Sequence, residues 1–236
     1  MCIRDRAWPL LKGKVEVDEV TLSQVAVNSA NLIEGMQIKG VLGRFFLQSH
    51  GVDLSNETAV VNRTELSDTH IQLLMTDTTT TPKDTTASAP VNWKVNLHQL
   101  KLKNVSFGMK LPADSMKMAA YIGEATIDDA KADLKNQFYG LKQFLLSGAS
   151  ASYDTGEAQP SEGFDASHMA VRNIRIGLDS LLYEGRNMNA VIREITMEER
   201  SGLSITSLTG RLFSNDSIIR IPELKLQTPH SEIDLS

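Results

Sequence analysis

The chain is nearly without cysteine: Cys2 stands alone among 236 residues, so no internal disulfide can hold the fold together. Aromatic residues make up 6%. No apolar run approaches the roughly 20 residues of a membrane-spanning helix, and no signal-peptide core is visible near the start. Cationic excess is missing too. With 24 Lys and Arg against 29 Asp and Glu, the formal charge is −5, which argues against a nucleic-acid-binding face. Catalytic signatures are absent. The five histidines, His50, His70, His98, His168 and His230, are far apart and in no metal-ligand spacing. There is no Gly-x-Ser-x-Gly elbow and no Gly-rich phosphate loop. The acid clusters, Glu124 with Asp128-Asp129 and Glu198-Glu199, fit solvated charges where strands leave the core better than a general-acid pair. The expectation is therefore no enzyme, no metal and no cofactor.

What the sequence does contain is a pattern of apolar residues written twice in register. Val15, Val17, Val20, Leu22, Val25 and Val27 recur as Val95, Leu97, Leu100, Leu102, Val105 and Phe107, about 80 positions later. Steps of two within each pair are the period of a strand with one buried face. The steps of three between pairs change parity, so a bulge or bend belongs at each. Met169, Val171, Ile174 and Ile176 form a looser third copy, followed by Leu181 and Tyr183. A second segment repeats about 70 positions on: Met118, Ala120, Ile122, Ala125 and Ile127 align with Met188, Ala190, Ile192, Ile195 and Met197, and Glu124 with Glu194. The bland alternative is that strands of Val, Ile and Leu resemble one another by chance.

These patterns predict an all-β chain with little helix: an elongated, curled, antiparallel-type sheet built of repeats. Strands are expected at 14–27, 36–48, 58–75, 91–111, 115–135, 138–152, 169–183, 188–199, 203–213 and 217–227. Residues 188–199 also fit a helical stripe, and 28–36 admits a short helix. The strands of successive units at 91–111 and 169–183 are expected to occupy equivalent places. The organisation read from composition is an irregular, non-native-looking start at 1–11, a β unit at 12–75, a Thr-rich loop at 76–90, a β unit at 91–152, a flexible loop at 153–168 and a truncated β unit at 169–236. The opening Met1-Cys2-Ile3-Arg4-Asp5-Arg6 resembles adapter read-through, and the last residues stop within an alternating pattern, so an internal piece of a longer protein is expected.

Ser207-Leu208-Thr209-Gly210-Arg211-Leu212, followed by Leu224-Lys225-Leu226-Gln227-Thr228-Pro229-His230-Ser231-Glu232-Ile233, resembles the recurring phrase of AsmA/TamB-like proteins. Trp93 opening a strand and Met36-Gln37-Ile38-Lys39-Gly40-Val41-Leu42-Gly43 are similar as well. The resemblance covers most of the chain from about residue 12, the two loops excepted, and lies in repeat grammar. The family's amino-terminal anchor and carboxy-terminal domain have no counterpart in the chain. The resemblance implies a segment of a periplasmic, envelope-spanning protein, anchored to the inner membrane by a missing segment. It implies an apolar β groove for phospholipid acyl chains, and partnership with an outer-membrane β-barrel assembly protein through missing regions. The residues expected to line that groove are Val95, Leu97, Leu100, Leu102, Val105, Phe107, Met118, Ile122, Ile192 and Ile195. Two rivals stand beside this: a structural β-solenoid or sandwich of an adhesin or tail protein with a closed, dry core, and a carbohydrate-active β enzyme.

Overall fold

A computed structural model describes residues 14–15, 18–33, 36–75, 92–156 and 159–235. The expected all-β class is what it contains. After the two-residue β1 (Lys14–Val15), long strands run at β2 (Glu19–Ile33), β3 (Met36–Asp53), β4 (Thr58–Met75), β5 (Lys94–Leu111) and β6 (Met116–Asp133), then, past the short β7 (Phe138–Leu141), at β8 (Gln143–Asp154), β9 (His168–Glu184) and β10 (Asn187–Glu199). Shorter ones follow: β11 (Ser204–Ile205), β12 (Ser207–Ser214), β13 (Ile219–Arg220), β14 (Leu224–Gln227) and β15 (Glu232–Leu235). All fifteen join one sheet. Among the described residues one 3-10 turn, at Pro112–Asp114, links β5 to β6. The helix that 28–36 admits is not formed: the strand β2 continues through Ile33 and pairs it with Met36. Val-rich, alternating residues pair with β3 here, and partnered strand outweighs weak local helix preference.

The bends predicted from the steps of three are present, and they line up. Gln24, Asp68, Asn104 and Asn173 have φ of 54°, 50°, 52° and 54°. Three of them fall inside a step: Gln24 between Leu22 and Val25, Asn104 between Leu102 and Val105, Asn173 between Val171 and Ile174, while Asp68 lies on the same line in β4. On neighbouring strands Gly43 and Gly123 occupy the same line, where pairing skips them. A Cβ on Gly43 would lie 2.3 Å from the Asp68 carbonyl oxygen, so only glycine fits opposite that bulge. A second line runs through Gly51 and Asp129, with φ of 137° and 48°, the latter opposite His98 in the step from Leu97 to Leu100. Each bulge inserts one residue and restores the apolar set to its original face.

The equivalence expected of 91–111 and 169–183 does not hold. The strand β5 pairs parallel with β4 and antiparallel with β6, whereas β9 is antiparallel to both its neighbours. Following the pairings across the sheet, β9 runs opposite to β5. The cause is topological. The strands β4 and β5 are the one parallel pair among the described residues, and the strands after them pair antiparallel. The first copy does match the second: β2 and β5 run the same way and each opens an antiparallel hairpin. Strands expected at 138–152, 203–213 and 217–227 are each interrupted, at Lys142, Thr206 and Ile221–Glu223.

Little of this sheet has a second layer. Among the described residues, the buried apolar side chains are Ala125, Ala149 and Ala190, and the largest side chain of any type that is almost fully enclosed is the polar Thr69, 2% exposed. The larger apolar side chains stay half-buried or exposed.

Candidate functional site

Pairing carries the apolar residues of each strand into rows that cross the sheet. One row reads Val20, Leu47, Thr64, Leu100, Ile127, Phe144, Leu178, Ile192. The next reads Leu22, Phe45, Leu66, Leu102, Ala125, Leu146, Ile176, Ile195. Leu100 and Ile192, read from different repeats, thus share a row, as do Leu102 and Ile195. Val105 faces Ile122 across β5 and β6. Val95 lies between Ala59 and Ala132, and Leu97 between Val61 and Ala130. Phe107 lies between Ile71 and Ala120, and Met118 between Met109 and Tyr153. Eight of these ten residues are half-buried; Phe107 and Met118 are 41% and 39% exposed.

At one end of the sheet lies a cavity of about 1200 Å³, lined by residues from β3, β4, β5, β6, β8, β9 and β10. At about 4.8 Å between strands, β3 and β10 would stand roughly 29 Å apart in a flat sheet, so the sheet curls to put both on one cavity. Small residues make the room: Gly108, Ala119, Ala120, Ser150, Ala151, Ser152 and Ala170 all line it. Of the ten expected residues, Phe107 and Met118 line it and the other eight do not. Leu97 lines a separate pocket of about 170 Å³ with His98, Asp129 and Ala130. Met109 and Val171 also line the large cavity. Both belong to the apolar pattern, and only the pairing of β5, β6, β8 and β9 shows that they share a site with Phe107.

Polar groups of the cavity pair within and across strands. His70 Nδ1 lies 2.6 Å from Ser106 Oγ, and Gln72 Nε2 lies 3.1 Å from His70 Nε2. An amide stands where a hydrolase dyad would be oriented by a carboxylate; His70 and Gln72 extend from β4 and Ser106 from the neighbouring β5, the usual setting of polar side chains on one face of a strand pair. Asn173 Nδ2 donates to the Glu198 carboxylate at 3.1 Å and Arg172 Nε at 3.0 Å, Asn173 first and Arg172 second holding Glu198 below the usual carboxylate range. Glu199 differs from the solvated charge expected of it. It is 6% exposed, and hydrogen bonds from Ser201, joined by the backbone N–H of Ala170, hold its carboxyl below the usual range.

Next to the cavity, 159–168 folds around Asp165, within the segment expected as a flexible loop at 153–168. Tyr153 and Asp154 close β8, and Thr155 N–H donates to the Ser167 carbonyl. The Asp165 carboxylate accepts the backbone N–H of Ser161 and of Ser167 and lies 3.0 Å from the ring of the buried His168. Those two N–H groups first, then His168, hold Asp165 far below its ordinary value. The Thr-rich segment 76–90 and the start at 1–11 lie outside the described residues. Farther away, Asp129 accepts from Lys142 at 2.7 Å and sits 3.0 Å from His98, Lys142 first and His98 second lowering its pKa. Among the described residues no group of three or more His, Cys, Asp and Glu is placed to hold a metal ion.

No protein-family model matches the chain, and no curated protein matches it.

Proposed function

We propose that this chain is a segment of an AsmA/TamB-like envelope protein that carries phospholipid acyl chains along its apolar face, in the service of outer-membrane assembly and without catalysis. The observation that carries this reading is the lack of a covering layer. Rows of Leu, Ile, Val and Phe cross up to eight strands, yet the buried apolar side chains among the described residues are alanines. An acyl chain laid on such a surface gains about 0.8 kcal/mol for each CH₂ withdrawn from water. A closed adhesin-type core would bury its large residues, and a carbohydrate enzyme would converge its carboxylates in a cleft. Here Glu198 is tied to Arg172, and Asp129 to Lys142.

In this reading the protein works in the periplasm of a double-membraned bacterium, and a β-barrel assembly protein is its partner through other regions. The test is a photo-crosslinker at Leu100 or Leu102 in cells. Capture of phospholipid is expected; capture of protein alone refutes the reading. Leu100→Asp gives a second test. On a face open to lipid and water it leaves the fold intact and blocks lipid passage, whereas in a dry core it costs several kcal/mol, about 3 or more, and unfolds the unit.

A further inference from the structure

We propose that the 1200 Å³ cavity binds a phosphorylated polyhydroxyl ring, a sugar or cyclitol phosphate, with the phosphate between Lys110 and Lys117 and the ring on the small residues between them and Tyr121. The site uses the face of the sheet opposite the apolar rows, so it stands apart from the lipid-carrying reading. Side-chain parity places its parts together. Lys110 pairs with Lys117 across β5 and β6, and Lys117 with Asp154 on β8. Two residues along the same strands, Gly108, Ala119 and Ser152 form the next row, which continues to Ala170 on β9. Two further along come Ser106, Tyr121 and Ser150, with His70 beside Ser106 on β4. Pairing runs unbroken through these rows on β5, β6 and β8, so steps of two keep the side chains on one face. Phe107, Met109 and Met118 alternate with them and belong to the other face. Every residue of the three rows named here lines the cavity.

The charge on this face points to an anion. The chain as a whole is at −5, yet here the cavity presents Lys39, Lys110, Lys117 and Arg172 against Asp154 and Glu198. Arg172 and Glu198 neutralise each other at 3.0 Å. The three lysines are exposed, and none enters an ion pair among the described residues. Asp154 is half-buried opposite Lys117 and forms no ion pair with it. Like charges set directly opposite each other weaken a strand pair, and a phosphate between Lys110 and Lys117 would relieve that repulsion and use both ammonium groups. The shape points to a ring. Gly108, Ala119, Ser152 and Ala170 form a low row between two rows of larger side chains. Those outer rows are four residues apart on β5, about 13 Å at the usual rise of a strand. Tyr121, 40% exposed, offers an aromatic ring on the far side, and the hydroxyls of Tyr121, Ser150 and Ser152 supply donors and acceptors for ring hydroxyls. Apart from Leu74, none of the cavity residues in these rows is an aliphatic larger than alanine, which selects a polar ligand over an acyl chain.

The experiment titrates the full chain calorimetrically with inositol 1-phosphate, inositol and inorganic phosphate, and floats it with phosphatidylcholine vesicles that contain phosphatidylinositol. Circular dichroism checks folding. Inositol 1-phosphate is expected to bind about tenfold more tightly than inositol or phosphate, because each of those fills half of the site. Lys110→Gln with Lys117→Gln should remove the advantage over inositol, and Tyr121→Ala the advantage over phosphate. Salt at about 1 M, where the screening length is roughly 3 Å, should weaken inositol 1-phosphate binding to the unmodified protein about tenfold, so the result does not hang on the variants' folding. Binding of the free compound supports a soluble ligand. Binding to the phosphatidylinositol vesicles alone, lost in the Gln pair, supports a lipid headgroup of the same chemistry. Inositol bound as tightly as its phosphate, or binding unchanged in the Gln pair, overturns the phosphate site. Inorganic phosphate bound as tightly as inositol 1-phosphate overturns the ring site, and binding of neither the free compound nor the vesicles overturns the whole proposal. Phospholipid capture at Leu100 reads the opposite face, so the two readings fail separately.

Discussion

The two ends of this sheet are built from the same strands, yet one encloses about 1200 Å³ and the other a pocket of about 170 Å³. Side-chain size accounts for the difference. At the cavity end, β5, β6 and β8 present Gly108, Ala119, Ala120, Ser150, Ala151 and Ser152. At the far end, Tyr139 and Tyr183 stack with ring centroids 5.9 Å apart, and Phe138 and Leu182 close over Gly140. A curled sheet with one layer has no opposing sheet to fill its hollow, so the volume left open is set by its own side chains. The line of bends through Gly43, Asn104 and Gly123 divides the two ends, and it keeps the apolar set on one face from end to end.

The largest effect is expected where that dividing line is tightest. In Gly43→Val the new Cβ would meet the carbonyl oxygens of Asp68 and Ser67 at 2.3 and 2.7 Å, and neither main-chain atom can withdraw without losing the bulge. A loss of about 3 kcal/mol or more is expected in urea unfolding. A loss under about 1 kcal/mol would mean that the bend does not need glycine there, and the division between the ends would lose its physical basis.

Filling each end in turn sharpens the comparison. Ala130→Trp forces an indole into the 170 Å³ pocket beside Leu97 and should cost about 1–3 kcal/mol. Ala151→Trp places the same group in the large cavity and should change stability by less than about 1 kcal/mol while reducing lipid capture. Equal destabilisation by the two would refute the difference in packing.

These two ends were unequally readable from the sequence. The steps of three at Leu22–Val25, Leu102–Val105, Ile122–Ala125 and Val171–Ile174 each mark a bend, because period-two alternation makes any parity change visible locally. The direction of β5 relative to β9 was hidden, since the chain between β4 and β5 has no pattern that distinguishes a hairpin from a crossover. The cavity was hidden for a different reason. Alanine and serine at 119–120 and 150–152 are unremarkable in either strand alone and make a hollow only once β6 and β8 are paired. Lys110 and Lys117 likewise look like ordinary solvated charges until the hairpin through Pro112–Asp114 sets them opposite each other.

Acid should act on the cavity end through Asp165. Its carboxyl is held far below the ordinary 3.8 by the N–H groups of Ser161 and Ser167. A carboxylate depressed in the folded state contributes stability that is fully present above its unfolded pKa and is lost as pH falls through the lower folded value. Asp165→Asn should therefore lower the thermal midpoint at pH 6, and the gap from wild type should narrow progressively as pH falls below about 4. A gap unchanged at the lowest pH would show that the Asp165 charge contributes nothing to the turn at 159–168.

The smallest effect is expected at the outer end of the bend line. Gln24 holds φ of 54° in β2, a strand whose long partner is β3 alone, and its side chain is exposed. An L-residue in the left-handed region pays a steric cost that glycine avoids, whereas glycine costs more chain entropy on folding. At this φ the first term is the larger, so Gln24→Gly should stabilise the protein by about 0.5 kcal/mol. Gln24→Val should do the reverse by more, about 1 kcal/mol, because a β-branched residue fits that conformation worst. Hydrogen exchange at the β2–β3 amides reads both changes locally, with slower exchange for the glycine variant and faster for the valine. If instead Val is tolerated and Gly loosens the pair, the bend at Gln24 is an ordinary stretch of strand, and the line that divides the two ends begins at Gly43.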